Sequence, residues 1–73
     1  MVTPDGAAIR SRRMELGLPP EEVATPIHRH PQTIRRLENG RMKSASEMLL
    51  AQVARVLNCA PGELAARQPE VAA

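Results

Sequence analysis

Residues 17–41 read GLPPEEVATPIHRHPQTIRRLENGR, and this stretch decides the fold. Pro and Gly frame two short helical segments within it. Pro20 suits the first position of one helix, and Glu21 and Glu22 follow where the helix dipole favours negative charge. Val23, Ala24 and Ile27 form its apolar stripe. Pro26 has no N–H for the Glu22 carbonyl, so the helix expected over 20–27 is short or distorted at its end. His28-Arg29-His30 makes a turn. Pro31 opens the second segment, with His30 in the capping position, and Asn39-Gly40 is a left-handed stop. Ile34 and Leu37 point inward. Gln32, Arg36 and Asn39 point roughly the other way, flanked by Thr33 and Arg35, so the outward face is polar and rich in donors.

Working outward, a first helix is expected from Pro4 to Leu16, capped by Thr3, with Asp5 in its first turn. Ile9, Arg13 and Leu16 fall at i, i+4, i+7, which puts an arginine on the apolar face. Gly17 stops this helix and Leu18 is its apolar lid. Downstream, Ser44 and Glu47 have capping-box spacing for a fourth helix. The run from Leu49 to Leu57 is the most apolar in the chain and marks the core. Asn58 is a left-handed stop, and Pro61 opens a short fifth helix that carries Leu64. No stretch alternates with a period of two, so the fold class is all-α, with residues 1–66 as one domain and 67–73 as a flexible tail.

Composition narrows the function. The chain has 73 residues and no Phe, Tyr or Trp, so bases cannot be stacked on aromatic rings. A chain of this size buries only about 60% of its unfolded surface, which argues against a deep catalytic pocket. Met1 is followed by no apolar run, so neither a signal peptide nor a membrane span is expected. A single cysteine, Cys59, excludes an internal disulfide and suits a reducing cytoplasm. It is expected as a small core thiol, and Met1, Met14, Met42 and Met48 as fillers of core gaps. Net charge is only +2, but it is uneven. From Ile27 to Lys43 there are five cations against one acid, Glu38, and the planar guanidinium suits phosphates and base edges. His28, His30 and Cys59 lack zinc-finger spacing, so no metal or other cofactor is expected. With no phosphate loop and no carboxylate cluster, an enzyme is not expected either. Protonated histidines in the turn would add to attraction for a polyanion.

Two short helices joined by a three- or four-residue turn make a helix-turn-helix, in which the second helix fits the major groove of B-form DNA. Gly17-Leu18, Glu22-Val23-Ala24, Gln32-Thr33-Ile34 and Leu37-Glu38-Asn39-Gly40-Arg41 together resemble the helix-turn-helix of the phage repressor and Cro (XRE-type) family. The resemblance runs from about Ile9 to Leu64. It implies a compact five-helix, lambda-repressor-like domain, with helices 2 and 3 as the reading motif. It also implies a salt bridge between Arg13 and Glu38, base contacts from Gln32, Thr33 and Arg36, and phosphate contacts from Asn39, Arg41 and Lys43. Arg10, Arg29 and Arg35 join the phosphate set. Four positions depart from the family pattern, and the loop from Arg41 to Ser46 is one or two residues longer than common. Pro19-Pro20 replaces a polar cap and a glutamine, Pro26 is atypical, and His28 stands where glycine is usual in the turn. His28 therefore requires either an unusual φ or a different turn.

The expected function is sequence-specific binding of double-stranded DNA by a transcriptional regulator, repressor rather than activator, in the cytoplasm at the nucleoid. A weak homodimer on DNA is the expected assembly, with no membrane partner and no small-molecule effector. The competing reading is a protein-interaction module on the same fold, such as an antitoxin or adaptor. A partner-binding helix would expose Leu, Met or aromatic anchors. Helix 3 offers donors instead.

Overall fold

The computed structural model describes residues 2–66; the tail expected at 67–73 lies outside the described residues. Four α-helices follow one another: α1 (Gly6–Glu15), α2 (Pro20–Ala24), α3 (Pro31–Glu38) and α4 (Glu47–Val56). Two 3-10 turns, Thr25–Ile27 and Pro61–Leu64, complete the order. The fifth helix is thus a single tight turn rather than an α-helix. Pro61 opens it and the Glu63 carboxylate accepts the Ala60 N–H at 2.7 Å, but Ala65 is already extended and bridged to Pro4, which ends the turn after Leu64.

The core is aliphatic throughout. Ile9 comes from α1, Val23 and Ala24 from α2, and Ile34 and Leu37 from α3. Leu49, Leu50, Val53 and Ala54 come from α4, and Leu57 and Leu64 seal the end. Each fully buried Leu, Ile or Val is worth about 1.5–3 kcal/mol relative to exposure. α2 packs on α3, α3 on α1, and α4 beneath α2 and both 3-10 turns. Met42 packs against this core, but Met14 and Met48 are 59% and 71% exposed and fill nothing, because they fall on the solvent faces of their helices. Met1 lies outside the described residues.

Tertiary pairing overrides two of the expected helix starts. α1 begins at Gly6, not Pro4, and Asp5 is the cap, accepting from the Ala8 N–H at 3.1 Å. Pro4 is engaged elsewhere, in an antiparallel bridge with Ala65, while Asp5 N–H reaches Leu64 O at 2.8 Å. α4 is capped by Ser46 rather than Ser44, with Ser46 Oγ accepting from the Leu49 N–H at 3.0 Å. Ala45 exchanges both backbone bonds with Val2, at 2.9 and 2.8 Å, and that extended bridge delays the helix past Ser44.

Four segments stop in the same way. Gly17, His28, Gly40 and Asn58 have φ of 67°, 57°, 78° and 56°. The residue after each returns its N–H to a carbonyl five positions back: Leu18 to Arg13, Arg29 to Ala24, Arg41 to Arg36 and Cys59 to Ala54, all at 3.0–3.1 Å. These are Schellman stops, with the left-handed residue just beyond the helix. His28 thus takes the unusual φ and keeps the turn. Pro26 tightens the end of α2 into the 3-10 turn that leads to it.

Candidate nucleic-acid interface

α3 is fixed at both ends. At its start, His30 Nδ1 accepts the Gln32 N–H at 3.0 Å. That bond needs an unprotonated Nδ1, so a proton taken up there would add charge but remove the cap. At its end, Glu38 is gripped by Arg13. The Arg13 Nε donates to Glu38 Oε2 at 2.7 Å and Nη2 donates to Oε1 at 2.9 Å. The third guanidinium nitrogen donates to Leu18 O at 2.9 Å. The two side chains are only 15% and 9% exposed. The bond to Glu38 pushes the Arg13 pKa up against the opposing effect of burial, so the guanidinium stays charged.

The outward face of α3 carries Gln32 and Arg36, both exposed, with Thr33 partly buried beside them. Arg10, Arg29, Arg41 and Lys43 are exposed around it, with Asn39 and Gly40 at the end of the helix. Among the described residues, Arg10, Arg29, Arg36, Arg41 and Lys43 form no ion pair. Arg10, Arg35 and Asn39 border one shallow depression between α1, α2 and α3, floored by Pro20 and the Arg13–Glu38 pair. Arg35 is held: its Nη2 donates to Glu21 Oε1 at 2.9 Å.

Two further side chains matter that sequence spacing does not show. Arg12 donates from Nε to Leu57 O at 2.9 Å and from Nη2 to Asn58 O at 3.0 Å. It thereby satisfies carbonyls at the C-terminus of α4, where a cation is favoured. Glu21 meets Arg35 across helices, 14 residues apart in sequence. Cys59 is half-buried; burial first, then the charge of Glu63, raises its pKa and keeps it a thiol. Among the described residues, no three His, Cys, Asp or Glu side chains gather where a metal ion could be held. No helix among them is long and apolar enough to cross a membrane.

Two short helices, a left-handed turn and an exposed second helix, docked on α1 and α4, define a helix-turn-helix domain. A family profile described as "Helix-turn-helix domain" matches residues 6–68, and the chain belongs to that family. Among solved structures it is similar to the clp gene regulator ClgR from C. glutamicum. The two are 36% identical, with a TM-score of 0.71 over 80% of this chain and 74% of that one. It also superposes on FeII HppE in complex with substrate, with 23% identity and a TM-score of 0.77 over 90% of this chain. Hydroxypropylphosphonic acid epoxidase from S. wedmorenis in complex with fosfomycin gives 24% identity and a TM-score of 0.74 over 90% of this chain. The chain spans only 37% and 36% of these two, and the likeness is one of fold. A search of curated proteins gives no match.

Proposed function

We propose that the protein is a Cro-like, sequence-specific DNA-binding regulator of transcription that lays α3 in the major groove. The observation that carries this is the outward face of α3: Gln32 and Arg36 stand exposed and, among the described residues, unpaired, with unpaired cations around them. The likeness to ClgR, a gene regulator, supports the same reading. Large exposed apolar side chains occur at Met14, Leu16 and Met48 and none on α3, which argues against α3 as a protein-docking helix. Repression is the simpler outcome, because a bound domain of this size blocks a promoter by occupying it. The reading assigns the domain no reaction and no effector. It carries with it a cytoplasmic location at the nucleoid and weak pairing of two copies across half-sites.

Roles divide by what each group can reach. Arg36 lies one turn after Gln32, so both enter the groove together. Arg suits the two acceptors of guanine, and Gln suits the donor–acceptor pair of adenine, with Thr33 alongside. A half-site with a G and an A within a few base pairs is expected. Arg10, Arg29, Arg35, Asn39, Arg41 and Lys43 hold the backbone.

Selection of bound sites from random duplexes, followed by titration at several salt concentrations, tests the reading. Arg36→Ala should cost about 1–3 kcal/mol on the selected site and leave scrambled duplexes nearly unaffected. An equal ratio of selected to scrambled affinity in wild type and variant would remove Arg36 from base reading. Arg41→Ala should instead weaken all duplexes alike and reduce the salt slope by about one unit. A loss confined to one sequence would show that the loop after α3 reads bases.

A further inference from the structure

The Glu21–Arg35 pair takes no part in the core and lies at the edge of the face assigned to DNA. The two side chains keep 51% and 50% of their surface in water, and their contact is 2.9 Å. Arg35 shares a depression with Arg10 and Asn39, two groups assigned to phosphate. Glu21 follows Pro20, which lines the same depression. An acid therefore stands among groups suited to an anion and already occupies one of them.

Resting on the DNA reading above, we propose that Glu21 is a built-in competitor for the DNA backbone: when a duplex docks, Arg35 is handed from the Glu21 carboxylate to a phosphate. The guanidinium fork accepts either anion in the same geometry. The exchange is close to neutral in ions. A phosphate sheds a condensed cation when Arg35 arrives, and the Glu21 carboxylate left behind attracts one from solution. Arg35 thus fixes position without adding to sequence-independent attraction. Gln32 and Arg36 touch no acid among the described residues, so base reading is not restrained in this way. The Glu21 charge also acts on Arg13, which both oxygens of Glu38 already hold.

Salt titrations of duplex affinity with the intact chain test the hand-over, using wild type, Glu21→Gln, Arg35→Gln, the double variant and Glu22→Gln. The pair is exposed, so all five proteins should melt alike. Wild type and Arg35→Gln should share one salt slope. Glu21→Gln should be steeper by about 0.9. It should also bind every duplex about two- to fivefold more tightly at low salt, the size of one exposed ion pair. The double variant should return to the wild-type slope, and Glu22→Gln should keep it. An unchanged slope in Glu21→Gln overturns the hand-over while the DNA reading stands. A double variant that keeps the gain also overturns it, because Glu21 would then act by plain repulsion. Wild type that binds duplex without any salt dependence overturns the DNA reading itself.

Discussion

Arg13→Ala should lower the melting temperature by about 12–24 °C, the largest effect expected of any single change outside the aliphatic core. The substitution strands Glu38, whose side chain is 9% exposed, and frees the Leu18 carbonyl as well. Breaking one side of a buried pair costs about 3–5 kcal/mol, and the slight exposure here points to the lower end. A domain of this size shifts by about 4–8 °C per kcal/mol. Changing both partners, Arg13→Met with Glu38→Leu, should recover much of the loss, because no uncompensated charge then remains. A melt of Arg13→Ala within a degree or so of wild type would mean that solvent already screens the pair.

Gly6→Ala should come second, and with a sign opposite to the usual one. In an open helix this change stabilises by about 1 kcal/mol. Here a Cβ on Gly6 would meet the carbonyl oxygens of Leu37 and Glu38 and stand 2.8 Å from the Glu38 carbonyl carbon. These are backbone atoms at the end of α3, so relief requires shifting the whole helix. Overpacking of this kind costs about 1–3 kcal/mol. The melting point should therefore fall by several degrees, and duplex affinity should fall with it because α3 is displaced. Gly62→Ala, with nothing within 4 Å of the added carbon, should leave both unchanged and serves as the comparison. A Gly6→Ala variant as stable as wild type would show that α1 and α3 can part without cost.

What was legible in the sequence follows the range of the forces involved. Local chemistry read through: the break at Pro26, the stops at Gly17, Gly40 and Asn58, and the His30 cap each depend on neighbours within five residues. Arg13 was visible because a cation on an apolar helical face needs an acid, and the family resemblance pointed to Glu38. Non-local chemistry did not read through. Thr3-Pro4 looks like a cap followed by a first-turn proline, yet Ala65 claims Pro4 for a bridge. Ser44 has the capping-box spacing, yet Val2 claims its neighbour Ala45. Nothing in the spacing singles out Arg12, whose carbonyl partners lie 45 and 46 residues away. The sequence places Arg35 among the phosphate contacts and gives no sign of Glu21, because no periodicity links positions on two different helices.

The bridges beside Val2 and Pro4 have a consequence for architecture at a larger scale. Residues 3–5 run antiparallel to residues 64–66, and Ala66 N–H closes on Thr3 O at 2.7 Å. The two ends of the described fold thus lie side by side. Such a unit behaves as a cassette: spliced into a host chain, it spans almost no distance between its junctions, so it can be inserted or permuted without forcing the host apart.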